Sequence, residues 1–138
     1  MTMSARGPIP AWVDRMGYPF ASRFVAVPAG RLHYIDEGTG ESILFVHGTP
    51  TWSYEWRHLV RALSPDWRCV APDLLGFGLS DRPEGFAWTP EAHATVLAAF
   101  VERVELERFT LVTRAGHWPH EEAPETCQEA LVACLRAA

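Results

Sequence analysis

Apolar residues fall along this chain in runs of four or five bounded by Gly, Pro and acidic clusters, and in longer stretches where they recur every three or four positions. Short runs rich in β-branched and aromatic residues predict strands, and recurrence at i, i+3, i+4 and i+7 predicts one buried helix face. Two strand-like runs, residues 23–27 and 31–36, flank Pro28-Ala29-Gly30 and predict a hairpin. His33 alternates there with Leu32 and Tyr34, which predicts it on the strand's more exposed face. Ile43, Leu44, Phe45 and Val46 form the next strand, and His47-Gly48-Thr49-Pro50 ends it in a tight turn. Ser53 is placed to cap a helix with Trp56, Leu59, Val60 and Leu63 on its apolar face and His58 opposite. Pro65 stops that helix, and residues 68–71 read as a second buried strand. Strand, turn, amphipathic helix and strand make a βαβ unit with a right-handed crossover.

Farther on, Thr89-Pro90-Glu91 supplies an N-cap, a proline at the first helical position and an acid in the first turn. Val96, Leu97, Phe100, Val101 and Val104 are that helix's buried stripe, and Arg108, Phe109, Thr110, Leu111 and Val112 form the next strand. Pro124 opens a last helix with Cys127, Ala130, Leu131, Cys134 and Leu135 on one face. Met1 to Trp12 holds Gly7, Pro8 and Pro10 without periodicity and reads as a loose arm. The expected fold is therefore α/β: one domain over residues 1–138, with a mostly parallel sheet of about five strands, flanking helices and an antiparallel hairpin in front.

In open parallel sheets ligand chemistry lies beyond the carboxyl ends of the strands, so the turn from His47 to Pro50 and the loop from Asp73 to Asp81 share the chemical edge. Asp73 and Asp81 are suited to accept from nearby backbone N–H groups. Gly76-x-Gly78 lacks the third glycine of a dinucleotide fingerprint, and Ser80 lacks the flanking glycines of a nucleophile elbow, so Ser80 reads as structural.

Charge and cysteine content narrow the classes. A net charge of −5 speaks against a surface that tracks phosphates, so no nucleic-acid partner is expected. All the basic residues are arginine, scattered rather than clustered. Cys69, Cys127 and Cys134 each fall in an apolar pattern with no CxxC spacing, and read as buried thiols of a cytoplasmic protein. No apolar run is long enough for a membrane span, and no secretory leader is recognised at the N-terminus.

Two blocks carry a family resemblance: HGTPTWSYEWR from His47, and APDLLGFGLSDRP from Ala71. They resemble the α/β-hydrolase fold, and within it the haloalkane dehalogenase and epoxide hydrolase branch. YPFASRFVAVPAGRLHYIDEGTGE resembles that branch's opening hairpin, TPEAHATVLAAFVERVELERFTLV its next helix and strand, and AGHWPHEEAPE its histidine loop. The resemblance implies hydrolysis of a small molecule through a nucleophile, an acid and a histidine base, with no cofactor. It assigns His117 as the base and the backbone N–H of Thr49 as one oxyanion donor.

The sequence then departs from the family. In that family the strand corresponding to Arg108–Val112 runs into the nucleophile turn, which in this branch carries an aspartate followed by a tryptophan. Here Thr113-Arg114-Ala115-Gly116-His117 follows instead, so the junction of a large deletion lies near residues 112–115. The resemblance therefore supplies no nucleophile and no acid. The branch's halide-binding asparagine also has Thr49 in its place. Two imidazoles at His117 and His120 beside Glu121 and Glu122, with His47 near the same edge, offer a competing metal reading. Pro119 interrupts the spacing that would align them, and no metal is assigned. Two function classes follow: a hydrolase by ancestry, and a catalytically silent folding or interaction module that self-associates through the Arg108–Val112 edge, exposed once its sheet neighbour is gone.

Overall fold

A computed structural model describes residues 5–114 of the 138-residue chain. The elements in order are β1 (Ala5–Arg6), β2 (Arg23–Val27), β3 (Gly30–Glu37), β4 (Ser42–Val46), a 3-10 turn (Ser53–Trp56), α1 (Arg57–Leu63), β5 (Arg68–Pro72), α2 (Pro90–Arg103) and β6 (Phe109–Thr113). They build one sheet in the order β1-β2-β3-β5-β4-β6. The expected hairpin is present, with Val27 opposite Gly30 across a two-residue loop. The sheet is mixed: β5 and β6 flank β4 in parallel, while β1, β2, β3 and β5 pair antiparallel in turn. Ala5–Arg6, within the stretch read as a loose arm, adds a short strand against β2.

The two helices cover opposite faces. Trp56, Leu59, Val60 and Leu63, the predicted stripe, pack on Ile35, Ile43, Phe45, Cys69 and Ala71. On the other face Val96, Phe100 and Val104 pack on Tyr34, Leu44 and Val70. Successive strand residues point to opposite faces, so β4 sends Ile43 and Phe45 one way and Leu44 the other, all buried. Burying each such side chain fully stabilises by roughly 1.5–3 kcal/mol.

Two local expectations are corrected. His33 is fully buried, because β3 lies between β2 and β5 with packing on both faces. Polar alternation along β3 separates two buried faces rather than core from solvent. Ser53 is not the helix cap; the N-cap is Trp52, without a side-chain bond. Ser53 instead begins the 3-10 turn and shares a hydroxyl–hydroxyl hydrogen bond with Tyr18, Oγ and OH lying 2.6 Å apart. Thr89 caps α2 as predicted, accepting the Ala92 N–H at 3.2 Å.

Candidate active site

Chain direction fixes where a site can lie. From β4 the chain crosses by α1 to β5 on one side, and from β5 by α2 to β6 on the other side of β4. The strand order thus reverses at β4, and the crevice beyond the carboxyl ends of β4 and β6 is the topological switch point where open α/β sheets bind ligands. The turn after β4 and Arg114, just after β6, meet there.

The turn is bonded largely to itself. The Gly48 carbonyl accepts from the Thr51 N–H at 3.0 Å and lies 2.7 Å from the Thr51 hydroxyl. His47 is buried, and its Nε2 accepts the Leu74 N–H at 2.8 Å. That bond requires an unprotonated Nε2, so the ring hydrogen is on Nδ1 and points to the Gly48 carbonyl at 3.0 Å. Both imidazole nitrogens are engaged, which leaves His47 no lone pair for a metal. Glu55, buried at 4% exposure, reaches back from the 3-10 turn. Its Oε1 accepts the Gly48 N–H at 3.4 Å, and its Oε2 lies 2.5 Å from the Thr51 hydroxyl. Among the described residues the Thr49 N–H has no such partner, and Thr49 itself is exposed.

The neighbouring loop hangs on Asp73, which is fully buried. Its Oδ1 accepts the Ser53 N–H at 2.7 Å, and its Oδ2 accepts His33 Nδ1–H at 2.8 Å and the Leu79 N–H at 2.9 Å. The Ser80 hydroxyl donates to the Asp73 carbonyl at 2.6 Å and accepts the His33 N–H at 2.8 Å. Burial, and next the Asp73 carboxylate, push the Tyr18 phenol well above its ordinary range, so it stays a hydroxyl. Ser80 is thus a strut, as its sequence context predicted. Asp81 also acts as expected, accepting the Arg31 N–H at 2.9 Å.

Aromatic rings line the next stretch of the edge. His47 lies against Phe77, and Phe77, Phe86 and Trp88 surround His93 at centroid distances of 5.1 to 6.3 Å. Burial, then the proximity of His47, hold the His93 imidazole below its ordinary pKa. His93 itself is half-buried.

On the β6 side stands Arg114. Its Cδ would lie 2.9 Å from a Cβ built on Gly48, and its Nη1 donates to the Thr49 carbonyl at 3.4 Å. His117, the predicted base, lies outside the described residues, as do His120, Glu121, Glu122, Cys127 and Cys134. Among the described residues no group of three metal-ligating side chains comes together. None of their helices is long and apolar enough to cross a membrane. The described edge thus offers an unpaired Thr49 N–H, an arginine across from it and no carboxylate or hydroxyl in a nucleophile's place. The His33–Asp73 pair and the inward-turned Glu55 were missed by sequence reasoning. Asp73 was recognised as an acceptor, but nothing in the pattern names His33 as its partner. Glu55 could have been suspected from its spacing, one residue before Trp56 on the buried face.

A profile of the alpha/beta hydrolase fold matches residues 41–113, more than half of the chain. Haloalkane dehalogenase 2 of Mycobacterium tuberculosis is 52% identical over 96 residues, which cover 70% of this chain and 34% of that protein. Cis-3-alkyl-4-alkyloxetan-2-one decarboxylase of Shewanella oneidensis is 40% identical over 97 residues, 68% of this chain and 30% of that protein. Among solved structures, an epoxide hydrolase of Vigna radiata superposes with a TM-score of 0.65 at 33% identity, over 69% of this chain and 30% of its own. The chain spans about a third of the length of the relatives it matches.

Proposed function

We propose that this chain, which belongs to the alpha/beta hydrolase fold family and resembles its haloalkane dehalogenases and epoxide hydrolases, is a hydrolase by ancestry that does not turn over substrate. The relatives named above act on haloalkanes, epoxides and oxetanones, so the shared segment supports several chemistries and fixes no substrate. One observation carries the reading. At the end of β6, where the family runs into its nucleophile turn, Val112 is followed by Thr113-Arg114-Ala115, and Arg114 lies over Gly48 and the Thr49 carbonyl. Covalent hydrolysis needs a nucleophile, a base and donors for the developing anion. Here Thr49 would give one donor and His117 the base, with nothing to deprotonate. A base without a nucleophile leaves only residual catalysis. The unbridged, buried Cys69 thiol fits a cytoplasmic setting. An ester assay on metal-free protein tests the reading: the expected rate is indistinguishable from His117→Ala, and a burst that His117→Ala abolishes refutes it.

A second reading, an interaction module that self-associates, is favoured by β6. Among the described residues this strand ends the sheet, and Phe109 and Leu111 are 38% and 54% exposed. Apolar unpaired edges invite a further strand.

A further inference from the structure

β6 pairs with β4 on one side only, and among the described residues nothing pairs with its outer side. Register fixes its faces. Leu111 stands beside Leu44 on the α2 face, and Val112 stands beside Phe45 on the α1 face. Phe109 and Leu111 therefore share the α2 face, beyond the cover that α2 gives, and Thr110 and Val112 share the other. Charge is divided along the strand. Its amino end opens on a cleft of about 850 Å³ lined by Glu41, Glu105 and Glu107, with Arg108 beside them. Its carboxyl end is followed by Arg114. The strand carries no lysine, proline or inward charge, the devices that usually blunt an edge.

We propose that this edge joins two copies of the chain, β6 to β6, antiparallel about a two-fold axis at Thr110. The inference rests on the self-association reading above and adds the sense and register of the joint. A parallel joint would stack Glu105 and Glu107 on their own copies. An antiparallel joint brings the acidic amino end of one copy beside Arg114 of the other. Residues opposite each other in an antiparallel pair share a face, so the axis must pass through a residue rather than between two. An axis at Leu111 would oppose Arg108 to Arg114 and spend Phe109 on Thr113. An axis at Thr110 opposes Phe109 to Leu111 twice, covering both exposed apolar side chains, and sets Arg108 against Val112.

Site-directed crosslinking in the full chain, with Cys127→Ser and Cys134→Ser as background, tests the register. Opposed side chains have Cβ atoms close enough for a disulfide, and neighbours two residues away do not. Under mild oxidation Thr110→Cys is expected to crosslink to itself. Arg108→Cys and Val112→Cys, each alone, are expected to yield at least tenfold less, and their equimolar mixture to recover about half the Thr110→Cys yield, because about half of its dimers pair the two variants. Equal yields from all three single variants would mean a parallel joint and overturn the proposal. Dimers in sedimentation without any of these crosslinks would overturn the register and keep self-association through another surface. A monomer at every concentration would overturn both, leaving the edge to residues 115–138 or to a different protein.

Discussion

Replacing Asp73 tests the central energetic inference, that one buried carboxylate holds the edge loops together. Asp73→Ala removes the acceptor for three buried donors: Ser53 N–H, Leu79 N–H and His33 Nδ1–H. Each orphaned buried donor costs about 1–3 kcal/mol, so three set an upper range of roughly 3–9 kcal/mol. Local relaxation and water entry reduce that toward the about 3–5 kcal/mol typical of breaking a buried polar pair. Against a total stability of about 5–15 kcal/mol, such a loss leaves the domain marginal. Thermal unfolding should fall by on the order of 10–25 °C, taking about 3–5 °C per kcal/mol for a chain of this size. Asp73→Asn separates the donors. Its amide oxygen can keep His33 and Leu79, but its NH2 then faces the Ser53 N–H, so the expected loss is about half, roughly 2 kcal/mol. Urea unfolding followed by far-UV circular dichroism measures both, and hydrogen exchange at Ser53 and Leu79 localises the effect. A loss below about 1 kcal/mol for Asp73→Ala, with native near-UV signal, would refute the assignment, because no relaxation short of refolding could re-pair three donors so cheaply.

The remaining predictions concern pH and backbone. Burial and His47 lower the folded pKa of His93, so its contribution to stability is complete above its unfolded pKa of about 6.5 and is lost as pH falls through the folded value. His93→Gln should therefore flatten the fall in urea midpoint between pH 7.5 and pH 5, and an unchanged slope would contradict the assignment. Gly38 has φ +82° and a Cβ there would run into the Trp67 and Ser64 carbonyl oxygens, so Gly38→Ala should cost about 2 kcal/mol or more in urea unfolding, where a neutral result would mean that the turn moves freely.

How far the sequence carried depended on whether the signal was periodic. The strand of Ile43 to Val46, the stripe of Trp56, Leu59, Val60 and Leu63, and the Thr89-Pro90 cap were legible because burial and capping write themselves into spacing. The mixed sense of the sheet was not. Period-two alternation does not say whether β3 meets β5 parallel or antiparallel. His33 failed for a related reason, since a polar residue inside a strand marks a change of face and does not reveal that both faces are covered. At the site, the turn was legible from His47-Gly48-Thr49-Pro50. Its internal bonding was not, because which donors meet Glu55 and Gly48 depends on three-dimensional placement. Arg114 over Gly48 is a contact 66 residues apart in sequence and leaves no local mark.

These observations separate the residues that hold the fold from those that would do chemistry. β4 is covered on one face by the α1 cluster and on the other by the α2 cluster, and among the described residues neither cluster draws on one after Val112. Asp73 fixes the loop beyond β5, and the Leu74 N–H on His47 Nε2 ties that loop to the turn after β4. Among the described residues the carboxyl edge is thus braced chiefly from the β4 and β5 side, with Arg114 adding one bond to the Thr49 carbonyl. Catalysis in this family would need the β6 side as well, because the family's nucleophile turn follows that strand. The brace can consequently persist where Arg114 stands, since none of its bonds runs through β6. Conversely, a nucleophile turn grafted after Val112 would meet a β4 turn already braced, with the Gly48 N–H turned toward Glu55.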